Sequence, residues 1–151
     1  MPAPVDEEWR QLGKLIEGLA YAQRPIFAAV RGITKRLGLG PRGAFLLNLV
    51  SEGLVFPNEL ATKLGTSRSL ITGDLGRLID AGLLTATTGV KDKRTTHLQL
   101  TDSGRAACAE IRAEMARIVS RNLAAYAKAD LRRFTDMLHA VRRLEPEEEG
   151  F

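Results

Sequence analysis

At 151 residues, with 44% hydrophobic and 26% charged side chains, the chain matches one globular domain that buries roughly 68–70% of its unfolded surface without a metal or disulfide. Its one cysteine, Cys108, excludes an internal disulfide, the acidic start Asp6-Glu7-Glu8 is unlike a signal peptide, and no apolar run approaches the roughly 20 residues of a membrane span, so a reducing cytoplasm is expected. The net charge is +4; setting aside Glu145, Glu147, Glu148 and Glu149 at the end leaves 14 of the 18 acidic residues against 22 basic ones, a body of about +8 suited to a polyanionic partner.

From Asp6 to Leu37 apolar residues recur at helical spacing (Leu12, Leu15, Ile16, Leu19, Ile26, Phe27, Val30, Ile33, Leu37), which predicts a long helix or a helix pair with a kink or break at Pro25. Gly38 and Gly40 mark a stop. Pro41 suits a new first turn, and Phe45, Leu46, Leu49 and Val50 form the next apolar stripe, up to Gly53. Pro57 opens a short helix with Leu60, Ala61 and Leu64 inward, Gly65 allows a left-handed turn, and Thr66 or Ser67 is placed to cap a further helix. The expected buried face of that helix is Ile71, Leu75, Leu78 and Ile79.

After Gly82 the period changes. Leu84 and Ala86, a polar loop from Thr88 to Thr95, and Leu98 and Leu100 alternating with His97 and Gln99 read as a β-hairpin. Thr101 suits the cap of a long amphipathic helix carrying Ile111, Met115, Ile118 and Val119 towards Tyr126, with Asp102 favourable in its first turn. Leu131, Phe134, Leu138, Val141 and Leu144 make a last helix, an apolar stripe that a chain of this size struggles to cover alone, so a homodimer is expected.

Helix, glycine turn, helix, strand, basic loop and strand, in that order between 56 and 101, describe a helix-turn-helix followed by a wing. Ala61 is small where two helices approach, Gly65 makes the turn, and Ile71, Leu75 and Leu78 bury one face so that the opposite one is free for a major groove. On that free face lie Thr66, Ser69, Gly73, Gly76 and Asp80, flanked by Arg68, Thr72 and Arg77.

Several other patterns carry no chemistry. Gly38-Leu39-Gly40-Pro41-Arg42-Gly43 is glycine-rich but lacks the Gly-Lys-Ser/Thr ending of a phosphate loop. His97, His139 and Cys108 are not at metal-ligand spacing, and no Ser-His-Asp or Cys-His arrangement assembles, so neither a metal, a cofactor nor an enzymatic activity is expected. Cys108 sits in Ala106-Ala107-Cys108-Ala109, a packing environment without the basic neighbours of a reactive thiol.

The stretches Asn58-Glu59-Leu60-Ala61-Thr62-Lys63-Leu64-Gly65, Ser67-Arg68-Ser69-Leu70-Ile71-Thr72, Leu78-Ile79-Asp80-Ala81-Gly82-Leu83, Asp92-Lys93-Arg94 and Leu98-Gln99-Leu100-Thr101-Asp102-Ser103-Gly104 resemble the MarR family of regulators. The likeness runs from about Ile26 to Ile118. It implies a mostly α, winged helix-turn-helix fold: one MarR-type domain over 1–151, with a DNA-binding lobe at 41–101 and a helical dimerisation lobe from 6–40 and 102–145. It also implies a homodimeric regulator of double-stranded DNA, usually a repressor on a pseudo-palindromic operator. Carried onto this sequence, the DNA-binding positions are Thr66, Ser67, Arg68, Ser69, Thr72, Gly73 and Arg77 on the groove helix, and Lys91, Asp92, Lys93, Arg94 and Thr95 on the wing. Arg94 takes the minor-groove position, and Asp92 steadies the wing through Arg94 or through backbone donors.

Relatives often carry a basic residue where this chain has Gly73. With Gly76 one turn on, this means either a backbone free to approach DNA closely or a tolerated weakness in the helix. The family also implies a site for a small aromatic or phenolic effector, released DNA being the response. The all-positive stretch from Arg24 to Arg42 with Tyr21 and Phe27 points to Tyr21, Arg24, Phe27 and Arg31, although solvated or phosphate-bound arginines fit the same pattern. The alternative function is a winged-helix protein-interaction module without DNA binding.

Overall fold

A computed structural model of the chain describes residues 4–89 and 95–143, with side chains from Glu7 onward. Its backbone contacts group into two compact units, Met1–Ile118 and Val119–Phe151. In the first, α1 (Pro4–Tyr21) and α2 (Arg24–Arg36) form a helix pair. The break falls at Ala22-Gln23, which puts Pro25 in the first turn of α2, where its missing N–H has no helical partner to lose.

Next comes α3 (Gly43–Ser51), which begins two residues later than Pro41 suggests. It is followed by α4 (Pro57–Leu64), α5 (Arg68–Asp80) and the antiparallel strands β1 (Leu84–Thr88) and β2 (Thr96–Leu100), paired Leu84 to Leu100 and Thr88 to Thr96. Helix α6 (Asp102–Asn122) carries the chain into the second unit, where α7 (Lys128–Val141) follows. Tyr126 falls between α6 and α7, beyond the helix end expected near it.

The core is built where the apolar periodicities meet. Leu46 and Leu47 of α3, Leu60 of α4, Ile71 and Leu78 of α5, Leu84 and Leu98 of the hairpin and Ile111 of α6 are all fully buried. Burying a side chain of this type contributes roughly 1.5–3 kcal/mol each, so these contacts fix α5 and the hairpin against α3. Leu98 also donates its N–H to the Val55 carbonyl at 2.8 Å, which lays the segment before α4 alongside β2.

One junction joins four elements. Gly82, at φ 72°, ends α5, and its carbonyl accepts a 2.6 Å hydrogen bond from the Thr101 hydroxyl. That same hydroxyl oxygen accepts from the Gly104 N–H at 2.9 Å, capping α6 as expected, while the Thr101 N–H donates to the Leu83 carbonyl at 3.1 Å. A β-carbon at Gly104 would stand 2.0 Å from Leu83 O, so the first turn of α6 passes this carbonyl at a distance only glycine allows.

Three expectations need correction. Ile79 is exposed because the buried arc of α5 is completed by Asp74 and not by it. Ala86 is exposed, since β1 buries Leu84 alone. Val119 is exposed as well.

Candidate nucleic-acid interface

The turn between α4 and α5 is tight because Gly65 adopts the left-handed conformation (φ 58°, ψ 41°) and the Thr66 N–H returns to the Ala61 carbonyl at 3.0 Å. Of the two candidate caps, Ser67 is the one used: its hydroxyl accepts from the Leu70 N–H at 3.3 Å. Helix α5 then buries Ile71, Asp74, Leu75 and Leu78 and exposes Arg68, Ser69, Leu70, Thr72, Gly73 and Arg77. The Thr72 hydroxyl donates to the Arg68 carbonyl at 2.9 Å, so its remaining capacity towards a ligand is as an acceptor. Added β-carbons at Gly73 and Gly76 would meet nothing within 4 Å. Neither glycine is needed for packing.

What holds α5 in place is partly electrostatic. The Asp74 carboxylate is buried (side chain 7% exposed) and accepts a 2.7 Å hydrogen bond from Arg42 Nε at the start of α3. A β-carbon at Gly40 would lie 2.8 Å from Arg77 Nη1 and 3.4 Å from Asp74 Oδ1, so the α2–α3 connection runs directly against the helix. Arg77 therefore lies beside this connection at the rim of the exposed face. Elsewhere Arg36 bonds Glu110 at 2.6 Å, and this hydrogen bond first, then the charge of Glu110, raises the guanidinium above its ordinary value; Glu114 does the same for Arg117. Both stay cationic at any physiological pH.

At the hairpin the Gly89 N–H donates to the Thr95 carbonyl at 2.7 Å, which sets half-buried Thr95 at the base of the wing. Lys91, Asp92, Lys93 and Arg94 lie outside the described residues. The four residues expected at an effector site are brought together. Tyr21, Arg24, Phe27 and Arg31 line one 650 Å³ concavity, with the Arg24 guanidinium 5.3 Å from the Tyr21 ring centre. Phe27 and Arg31 also border a 430 Å³ concavity with Thr34, Lys35, Leu39 and Pro41, where Phe27 stands 4.9 Å from the Phe45 ring. Among the described residues no group of three or more His, Cys, Asp or Glu is placed to hold a metal, and no helix is long and apolar enough to cross a membrane.

No protein-family model and no curated protein sequence matches the chain, whereas solved structures do. A MarR family transcription regulator superposes with a TM-score of 0.75 at 23% identity, over 92% of this chain and 93% of its own. The chain has the MarR fold. NadR, solved in complex with 4-hydroxyphenylacetate, matches the same fold at 24% identity and a TM-score of 0.71, over 85% of this chain and 92% of its own. CouR from Rhodococcus jostii RHA1, solved bound to p-coumaroyl-CoA, matches at 21% and 0.69, over 84% and 92%.

Within this MarR fold the positions expected to meet DNA on and just before α5 are exposed, except that Thr66 is half-buried. Three further residues escape the sequence reading. Asp74 breaks the apolar arc of α5, and its partner Arg42 lies 32 positions away, so only the fold pairs them. Leu70 had a signal in the sequence: it stands about 100° round the helix from Ile71, off the apolar face, and it is half exposed.

Proposed function

We propose that this chain is a sequence-specific DNA-binding transcriptional regulator of the MarR family, acting as a homodimeric repressor on a pseudo-palindromic operator. The observation that carries the reading is α5: a serine-capped helix whose inner face is fixed in the core and whose outer face offers Arg68, Ser69, Thr72 and bare backbone at Gly73, beside a hairpin whose tip sequence is Lys91-Asp92-Lys93-Arg94. Its N-terminal turn carries the positive end of the helix dipole, favourable near phosphate. The body charge of about +8 supports a polyanionic partner.

The dimer is supported by apolar side chains left uncovered on both terminal helices: Trp9, Leu12, Leu15 and Ile16 on α1, and Phe134, Met137 and Val141 on α7. Helix α7 buries no residue at all. Surfaces of this kind are covered by a partner in a soluble protein. The 650 Å³ concavity suits an aromatic or phenolic effector, with Phe27 and Tyr21 for the ring and Arg24 or Arg31 for a carboxylate. Such a ligand releases DNA only if it binds the DNA-incompetent arrangement more tightly than the competent one.

Fluorescence anisotropy against the duplex upstream of its own gene and a scrambled duplex, over a salt series, tests the reading. Arg94→Ala is expected to weaken operator binding by about 1–3 kcal/mol. Lys93→Ala should weaken both duplexes alike and reduce the salt slope by roughly one unit. Equal, salt-insensitive binding to both duplexes by the parent would leave the protein-interaction module as the better description. For the effector, 4-hydroxyphenylacetate and related aromatic acids should raise the melting temperature and weaken operator binding. A broad panel that does neither rejects the effector site.

A further inference from the structure

We infer that Leu70 is a base-reading residue of α5 and that it recognises the 5-methyl group of a thymine in the major groove. The inference rests on the reading of α5 as the groove helix and adds to it the chemistry of one contact.

Leu70 is 50% exposed in the first turn of α5, about 100° round the helix from Ile71 on the buried face. Ile71, Leu75 and Leu78 enter the core, and Leu70 belongs neither to that core nor to the partly buried side chains packed against it. Its place is fixed: the Leu70 N–H is held by the capping Ser67 hydroxyl, so the side chain leaves the helix at a defined point of the first turn. Leu70 is followed on the same side, three and seven positions on, by Gly73 and Arg77. Open space surrounds Gly73, so nothing shields Leu70 from a surface approaching the helix.

The occupant of this surface follows from charge and shape. Arg68 and Arg77 are exposed near the two ends of the helix, a spacing that suits phosphates on either side of a groove, while no acidic side chain stands on the exposed arc between Arg68 and Gly73. In the major groove the thymine methyl is the one apolar group a base edge presents, and the first turn of a groove helix is where base edges are met. Leucine offers no hydrogen bond, so it discriminates by burying that methyl. Cytosine in the same place would present an amino group to it without an acceptor.

The test uses the full-length chain. An operator is selected from a random duplex pool, and each of its thymines is replaced in turn by deoxyuridine, which removes only the methyl. At one position in each half-site the parent is expected to bind the uracil duplex about fourfold more weakly, the worth of one buried carbon. Leu70→Ala should bind the thymine and uracil duplexes equally at that position, whereas Leu70→Met, which stays apolar, should keep the difference. Because the side chain is exposed, unchanged denaturation midpoint and light scattering are expected for both variants. No methyl-sensitive position, the same loss in Leu70→Ala as in the parent, or a change of oligomeric state in Leu70→Ala overturns the assignment. Absence of any sequence preference in the parent rejects the sequence-specific DNA-binding reading itself, an outcome visible at the selection step.

Discussion

At Gly104 the missing side chain is a packing requirement, because any β-carbon would overlap the Leu83 carbonyl oxygen. The obstacle is backbone, which cannot rotate aside. Gly104→Ala is therefore expected to lower stability by at least about 3 kcal/mol in urea denaturation, at the upper end of overpacking effects. The glycine is conspicuous in the sequence, but its reason is not, since Leu83 lies 21 positions earlier. Asp74 shows the opposite case: an inward-facing carboxylate that helical spacing alone marks as an error in the apolar pattern. Removing its partner in Arg42→Ala leaves a buried carboxylate without its hydrogen bond, expected to cost about 3 kcal/mol or more. Replacing both, Arg42→Met with Asp74→Leu, should recover most of that loss, as for other buried pairs exchanged for apolar residues. A double substitution no more stable than Arg42→Ala would show that the space around Asp74 cannot accept an apolar side chain.

At the scale of an element, α5 is weaker than it needs to be. Gly73 and Gly76 have ordinary negative φ and open surroundings, so alanine fits at either. Each change should stabilise the fold by up to about 1 kcal/mol from helix propensity alone. If the bare backbone at Gly73 faces the groove, Gly73→Ala should raise the denaturation midpoint and weaken operator binding together, while Gly76→Ala, half-buried at the edge of that face, should affect DNA less. Higher stability with unchanged affinity would mean that the glycine has no part in recognition. The inner face of α5 was legible because Ile71, Leu75 and Leu78 repeat at the helical period. Its outer face is legible only by subtraction, so the helical period extends the apolar stripe to Ile79 and gives Leu70 no role. The hairpin was read from the alternation of β2, yet β1 alternates weakly and buries one residue.

For the whole molecule, the proposed dimer rests on the terminal helices. Phe134 and Val141 are 43% and 58% exposed in a helix that buries nothing, so a charge there leaves the single chain intact. Phe134→Asp is expected to shift the protein from dimer to monomer in light scattering with little loss of helical circular dichroism. A dimer of unchanged mass would place the contact elsewhere. The order of helices, turn and hairpin came through in the sequence because caps, glycines and changes of period are local signals. The gathering of Tyr21, Arg24, Phe27 and Arg31 around one concavity is suggested by the family resemblance and the all-positive stretch beside two aromatics, but depends on the break at Ala22-Gln23, which the sequence places only approximately.

The junction of Gly82, Leu83, Thr101 and Gly104 also has a mechanical meaning. It is the common root of α5 and of both hairpin strands, so any change of angle there would reach both. Five residue steps lead from Leu83 to Thr88, an arm of about 17 Å. A rotation of about 10° at the root therefore carries the end of the arm through about 3 Å, the full length of a hydrogen bond. On the proposed DNA-binding reading, an effector would not have to dislodge α5 and the hairpin separately: a change of angle at this one root would shift both.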